Sequence, residues 1–93
     1  MRYTIFFEKN ANRELERLDI TQQRIITKWI KKNLENTNNP RIYGKSLKGN
    51  LRDYWRYRVG NYRIIAEIND IEVKILIINV GHRKDIYKKF EIK

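Results

Sequence analysis

The chain has no cysteine and only one histidine and one proline among its 93 residues. Without cysteine there is neither a disulfide framework nor a thiolate metal site, and nothing in the composition points to secretion. One histidine is too few for the imidazole clusters that usually hold zinc. We therefore expect no metal and no other cofactor.

Long apolar stretches are also missing. No run approaches the roughly 20 residues that a membrane-spanning helix requires, and the N-terminus lacks the apolar segment of a secretory signal. Repeats, low-complexity tracts and internal linkers are absent as well. These absences predict a single cytoplasmic domain over residues 1–93 without a membrane partner.

Acidic residues are few relative to basic ones. The sequence has 21 lysines and arginines against 11 aspartates and glutamates, for a net charge of +10. The imbalance is strongest between residues 41 and 63, where seven basic residues accompany Asp53 as the only acidic one. A chain this basic associates with polyanions, which means nucleic acid or an acidic protein.

The segment Leu51–Arg63 alternates polar and apolar residues, is interrupted at Gly60-Asn61 and then resumes the alternation. This pattern predicts two strands, and glycine followed by asparagine suits a two-residue type II′ turn. The turn places Val59 opposite Tyr62 and thereby fixes the register of the other pairs. One face of the hairpin is then apolar and comprises Trp55, Tyr57, Val59, Tyr62, Ile64, Ala66 and Ile68.

Three arginines, Arg56, Arg58 and Arg63, share the opposite face, and the register sets Arg58 directly against Arg63. Like charges in such a pair destabilise a sheet, which suggests that the face binds an anion. Guanidinium groups hold phosphate oxygens bidentately at any working pH. A solvated basic surface without a ligand is the alternative. Further RNA contacts are expected from the neighbouring residues Lys45, Lys48, Arg52 and Tyr54, the last by stacking on a base.

The first third of the chain predicts a strand followed by a helical hairpin. The strand covers Met1–Phe7, and an amphipathic helix covers about Lys9–Leu18. Asp19 or Thr21 can cap a second helix, whose apolar residues recur at helical spacing as far as Leu34.

Strands at about 52–59, 62–68 and 71–80 follow and predict an antiparallel meander. Asn69-Asp70 is expected to form its second turn, which would pair Ile68 with Ile71 and put Ile71 and Val73 on the apolar face. With the N-terminal strand, this gives an α+β fold that has a four-stranded sheet and its helices on one face. The last strand is apolar on both sides, so the segment Lys84–Phe90 or a second protein is expected to cover the other face.

A second polar cluster, Val80-Gly81-His82-Arg83-Lys84-Asp85-Ile86-Tyr87, follows the last strand. His82 is a candidate for proton transfer because its ordinary pKa lies near neutrality. A structural hydrogen-bonding role at the end of the strand is the alternative. Arg83 would add a fourth cation at the open end of the sheet.

The order of elements, together with three motifs, resembles the RelE/ParE superfamily of type II toxins. The motifs are Lys45-Ser46-Leu47-Lys48-Gly49, Trp55-Arg56-Tyr57-Arg58-Val59-Gly60-Asn61-Tyr62-Arg63-Ile64 and Val80-Gly81-His82-Arg83-Lys84-Asp85-Ile86-Tyr87. The resemblance covers essentially the whole chain.

RelE-type members cut messenger RNA in the decoding site of the ribosome, and the resemblance implies the same activity and site residues here. Arg56 and Arg58 would occupy the positions of two lysines, one of which is proposed to activate the ribose 2′-hydroxyl. Arg63 would stabilise charge on the phosphate, Arg83 would protonate or stabilise the leaving oxygen, and Tyr87 would stack on or orient the substrate. The products would be a 2′,3′-cyclic phosphate and a free 5′-hydroxyl, formed without a metal.

Arginine in place of lysine at Arg56 and Arg58 keeps the charge but gives a poor base, because the guanidinium keeps its proton at any working pH. Either His82 takes over as the base, or catalysis rests on positioning and electrostatics. Three other functions stay open. They are inhibition of DNA gyrase, as in the ParE branch, non-enzymatic nucleic-acid binding, and an inactive relic of a toxin.

The resemblance also implies a small cognate antitoxin that wraps the toxin with an acidic segment, and a toxin–antitoxin complex that binds operator DNA. The expected antitoxin surface is an apolar strip bordered by the arginines, formed by Ile65, Leu76, Ile78 and Val80. An amphipathic helix or strand with acidic side chains would bury this strip and neutralise the site together.

Overall fold

The computed structural model describes residues 1–92, which form one five-stranded sheet in the order β1-β5-β4-β3-β2 and three α-helices. The elements are β1 Thr4–Phe7, α1 Lys9–Glu16, α2 Ile20–Asn33, β2 Gly44–Ser46, β3 Tyr54–Val59, β4 Tyr62–Asn69, β5 Lys74–His82 and α3 Arg83–Lys89. Strand β1 runs parallel to β5, and the other neighbouring strands are antiparallel. The predicted α+β class is confirmed. In residues 1–92, no helix has both the length and the apolar character needed to cross a membrane.

The sheet has five strands and not the predicted four, because part of the basic loop forms β2. Gly44 pairs with Tyr57 and Ser46 pairs with Trp55. Gly44 allows this close approach, since a Cβ there would lie 2.9 Å from side-chain carbons of both Trp55 and Tyr57. A three-residue strand has too little alternation to be recognised in a sequence.

The helical hairpin packs on one face of the sheet, as predicted. Asp19 caps α2 by accepting a hydrogen bond of 2.9 Å from the backbone N–H of Gln22. Ile26 and Ile30 from α2 are buried against the sheet. All seven residues predicted for the apolar face of the first hairpin belong to this core: Trp55, Tyr57, Val59, Tyr62, Ile64, Ala66 and Ile68.

The two hairpin turns differ in how well the sequence predicts them. The first has the predicted register, with Val59 opposite Tyr62, and Gly60 has the positive φ of 60° that a type II′ turn requires. The second register is wrong, because Ile68 pairs with Ile75 instead of Ile71. The Asn69 side chain accepts hydrogen bonds from the N–H groups of two following residues and so widens the turn. Ile71 is consequently 95% exposed rather than part of the core.

Strand β5 contains a β-bulge that moves Val80 to the other face. Ile65 lies opposite Asn79 and Ala66 lies opposite Ile77, so Ile78 is one residue in excess. Val80 is therefore buried in the core beneath the helical hairpin, which corrects its predicted position on the arginine face.

Helix α3 covers part of the opposite face, where Leu47, Ile65 and Ile86 are buried. The two predicted helices lie together on one face, and the expected covering of the second face by the C-terminal segment is confirmed; the helical form of that segment was not predicted. The predicted antitoxin strip is not free in this fold. Ile65 is fully buried, Val80 lies on the other face and Ile78 is partly buried in the α3 cluster; of the four, Leu76 alone lies in neither buried cluster, and it is partly buried.

A polar clamp fixes the loop that precedes β2. The Arg41 guanidinium donates two hydrogen bonds of 2.9 Å to the Asp70 carboxylate, and the Tyr3 hydroxyl donates another of 2.6 Å. Just before Arg41, the carbonyl of Pro40 accepts a hydrogen bond of 2.6 Å from the Tyr57 hydroxyl. Residues 42–45 are thereby held against the sheet.

The clamp is expected to weaken in acid. The hydrogen bonds from Arg41 and then Tyr3 lower the pKa of Asp70 below its ordinary value of 3.8. Its stabilisation is thus complete above that value and is lost as the pH falls through the lower pKa of the folded state. Asp70→Asn should lower the melting temperature at pH 7 relative to the unmodified protein, and the difference should shrink towards pH 2. An equal difference at both pH values would contradict the ionic role of Asp70.

Candidate functional site

The arginine face carries a cleft of about 360 Å³ that lies between β2, β3, β4 and α3. The residues that line it are Ile42, Tyr43, Gly44, Lys45, Arg56, Arg58, Arg63 and Tyr87. Strand alternation brings the three arginines to this face, and the register confirms that Arg58 and Arg63 are directly opposite. Tyr87, which belongs to α3, lines the cleft beside them.

Arg63 is the most buried cation of the cleft, with 5% of its surface exposed. Its Nε donates to the Tyr87 hydroxyl over 3.1 Å, and its Nη1 donates to the carbonyls of Gly60 and Tyr62, each over 2.9 Å. These contacts fix the plane of the guanidinium. Among residues 1–92, Nη2 has no hydrogen-bond partner, so this nitrogen keeps its donors for a ligand.

The cleft is strongly cationic and has no internal counter-charge. Arg56 lies 5.9 Å from the centre of the Tyr87 ring and Arg63 lies 5.5 Å from it. The only salt bridges within the described part of the chain, Arg41–Asp70 and Lys74–Glu72, involve none of the residues that line the cleft. Several guanidinium groups in one cleft without a carboxylate partner are suited to hold a phosphodiester.

The environment of Tyr87 alters its acidity. Burial by itself would raise the pKa of the phenol, but the hydrogen bond from Arg63 and the charges of Arg63, Arg56 and Arg83 outweigh it. The net effect lowers the pKa of Tyr87 below its ordinary value of 10. A phenol with a lowered pKa is a better proton donor near neutrality.

Removing the charge of Arg63 should therefore raise the pKa of Tyr87. We expect this rise in Arg63→Gln, observed as a shift of the titration midpoint of Tyr87 in an NMR titration of isotope-labelled tyrosine. Arg24→Gln, on the outer surface of α2, is the matched control and should leave the midpoint in place. An unchanged midpoint in Arg63→Gln would show that the Arg63–Tyr87 contact does not set the acidity of the phenol.

Arg83 and His82 occupy different surroundings. Arg83 is exposed on the first turn of α3, close enough to Tyr87 for its charge to lower the phenol pKa. The structure does not bring His82 to the arginines. His82 lies opposite Tyr62, with the two rings 5.6 Å apart, and its Nδ1 accepts a hydrogen bond from the N–H of Lys84 at the start of α3.

The four predicted RNA contacts are dispersed. Lys45 lines the cleft next to Arg56, and both also line an adjoining cleft of about 510 Å³ together with Lys48. Arg52 is exposed but lines neither of these clefts. Tyr54 packs its ring against that of Phe90, with the ring centres 6.3 Å apart, so the residue that follows α3 already occupies part of the stacking surface expected for a base.

Ile42, Tyr43 and Gly44 line the cleft but were not expected from the sequence. Ile42 and Tyr43 lie between α2 and β2, and Gly44 begins β2; no periodicity or motif indicates their position. They lie beside the arginines because the polar clamp at Arg41 and the pairing of Gly44 in β2 hold this segment in place.

Comparison with known proteins gives consistent matches. The family model of the ParE toxin of type II toxin–antitoxin systems matches residues 5–87. The toxin RelG of Mycobacterium tuberculosis is 30% identical over 89 residues, which cover 96% of this chain and all of RelG. The RelBE2 toxin–antitoxin complex of Mycobacterium tuberculosis contains a chain that is similar with a TM-score of 0.80 and 28% identity, over 89% of this chain and 93% of that one. The isolated RelE toxin of Escherichia coli gives a TM-score of 0.71 and 25% identity, over 94% and 93%.

Proposed function

The chain belongs to the RelE/ParE superfamily of type II toxins, and from this premise we propose that it cuts messenger RNA on the ribosome. The observation that carries the proposal is the cleft that Arg56, Arg58 and Arg63 line together with Tyr87, whose hydroxyl accepts a hydrogen bond from Arg63, with no acidic residue in the lining. In the proposed reaction, the ribose 2′-oxygen attacks the adjacent phosphorus and the bond to the 5′-oxygen breaks. A 2′,3′-cyclic phosphate and a free 5′-hydroxyl result.

Arg63 is proposed to stabilise the charge that develops on the phosphate. Its guanidinium is held by two carbonyls and by Tyr87, so it needs little reorganisation during the reaction. Arg56 and Arg58 would hold the non-bridging and neighbouring phosphate oxygens. Because arginine is a poor base, these residues would act by position and charge rather than by taking a proton.

Tyr87, whose hydroxyl lies within the cationic cluster and has a lowered pKa, is proposed to donate the proton that the leaving 5′-oxygen takes up, while the proton of the 2′-hydroxyl passes to solvent. Arg83, one turn earlier on α3, would stabilise the leaving oxygen. His82 is left out of the proposed mechanism because its ring faces Tyr62 and its Nδ1 caps α3.

His82→Ala is accordingly expected to change cleavage by less than a few-fold. Loss of the cap should lower the free energy of unfolding by about 1 kcal/mol, as is typical for an N-cap. Cleavage assays and thermal denaturation of the same preparation check both values. A fall in cleavage of about 100-fold, the size expected for a general acid or base, would return His82 to the mechanism.

A type II toxin is neutralised by a cognate antitoxin, and the M. tuberculosis RelBE2 structure is such a complex. Since Ile65 and Ile78 of the predicted apolar strip pack in the α3 cluster and Val80 lies on the other face, we propose that an acidic antitoxin segment covers the cationic cleft instead. We also retain the proposals that the toxin acts in the cytoplasm and that its complex with the antitoxin binds operator DNA.

Inhibition of DNA gyrase is the second candidate, and the match to the ParE toxin model favours it. Toeprinting on a defined message in a cell-free translation system separates the two. New stops inside the reading frame that require ribosomes would support the nuclease. An intact message, together with inhibited supercoiling by purified gyrase, would support the second candidate.

A further inference from the structure

The loop before β2 brings two large apolar side chains, which we call the apolar rim, to the cationic cleft. The rim consists of Ile42, which is 63% exposed, and Tyr43, which is 42% exposed. Both line the same cleft as Arg56 and Arg63. Apolar surface that stays open beside a binding site gains from being covered, because covering it releases water.

The apolar rim is held in place before any ligand arrives. Arg41 precedes it and is fixed by two hydrogen bonds to Asp70. The Tyr43 ring meets the Trp29 ring nearly at right angles, with the centres 6.4 Å apart. Gly44 follows it and is paired in β2. A ligand therefore meets a preformed surface and loses little affinity to the ordering of side chains.

We propose that the apolar rim binds a nucleobase of the RNA whose phosphate lies at the arginines, with Tyr43 as the stacking residue. The proposal rests on the proposed function in taking RNA as the substrate. A nucleotide joins an anionic phosphate to a flat apolar base, and this one cleft offers guanidinium groups and an aromatic ring together. Aromatic side chains stack on bases of any sequence. The cleft volume of about 360 Å³ is large enough to hold a single base.

The test compares two short RNA oligonucleotides that differ only by one abasic nucleotide, and measures their binding by fluorescence anisotropy at low salt. The unmodified protein should bind the intact RNA roughly tenfold more tightly than the abasic RNA. Tyr43→Ala should lose this preference while keeping its affinity for the abasic RNA, and Tyr43→Phe should retain the preference. Ile71→Ala, which removes an exposed side chain outside the cleft, is the matched control and should behave as the unmodified protein.

The outcomes separate the apolar rim from the proposed function. If the two RNAs bind equally well and both need Arg63, the proposal that the rim binds a base is wrong and the phosphate site remains supported. A Tyr43→Ala protein that binds RNA normally but binds its antitoxin less well would also overturn that proposal, and would assign the rim to the protein partner. Absence of any RNA binding that depends on Arg63 would count against the proposed function itself. If Tyr43→Ala does not fold, the preference for intact over abasic RNA is measured in Ile42→Ala and in the unmodified protein. Its absence from the unmodified protein would contradict the proposal.

Discussion

Arg63→Ala is expected to reduce cleavage of messenger RNA by about 100- to 1,000-fold, the loss typical when one fixed donor to a developing negative charge is removed. The variant loses the only cation of the cleft that is both buried and held by two backbone carbonyls. Toeprinting should then show no stops at toxin concentrations at which the unmodified protein gives strong ones. Induction of the variant in cells should no longer arrest growth.

The same substitution is expected to weaken the fold without abolishing it. The Arg63 side chain donates hydrogen bonds to Tyr87 and to the carbonyls of Gly60 and Tyr62. Their loss should lower the free energy of unfolding by about 1–3 kcal/mol. Circular dichroism must therefore show a folded variant at the assay temperature. Arg24→Ala, on the outer surface of α2, removes the same charge elsewhere and should keep full activity. Stops that persist in a folded Arg63→Ala protein would contradict the proposed role.

Tyr57→Ala should have the largest effect on stability, lowering the free energy of unfolding by about 3–5 kcal/mol. The side chain of Tyr57 is fully buried at the centre of the core and its ring lies 5.6 Å from that of Trp29. Since small domains have only about 5–15 kcal/mol of stability in total, the variant should melt far below the unmodified protein. Urea denaturation followed by circular dichroism measures the change.

Tyr57→Phe separates packing from hydrogen bonding in that effect. It keeps the ring but leaves the carbonyl of Pro40 without its partner, for an expected loss of about 1 kcal/mol. Ile71→Ala, at a position that is 95% exposed, should change stability by less than about 0.5 kcal/mol. Equal losses in Tyr57→Ala and Ile71→Ala would mean that the assignment of the core is wrong.

The first hairpin could be predicted from sequence because two independent signals agree there. Alternation assigns each residue to a face, and the Gly60-Asn61 turn fixes which residues are opposite. The convergence of Arg56, Arg58 and Arg63 follows from these two facts alone, and the structure has the same register. The start of α2 follows from a similar agreement, since the apolar spacing begins beside the two candidate caps, Asp19 and Thr21, of which the structure uses Asp19.

The remaining features depend on contacts that a single sequence does not display. The predicted register of the second turn is wrong because the Asn69 side chain accepts hydrogen bonds from the N–H groups of Ile71 and Glu72 and so sets the length of the turn. His82 is a candidate from its residue type alone. In the sheet it lies opposite Tyr62 and so shares the apolar face of the hairpin, away from the arginines. Ile42 and Tyr43 lie in the cleft next to Arg41, which is held by two hydrogen bonds to Asp70 in the second hairpin turn, a contact between residues far apart in the sequence.

The extra residue in β5 also bears on how relatives should be aligned. Before Ile78 the strand shows one alternation of inward and outward side chains, and after it the alternation is inverted, so that Val80 faces the helical hairpin. A homologue that lacks this residue would need the opposite order of polar and apolar side chains in the last part of the strand. An alignment without a gap there would equate core positions with positions on the face that α3 covers. Residues that follow the bulge, Arg83 and Tyr87 among them, are therefore safely transferred between such relatives only when the gap is placed at the bulge.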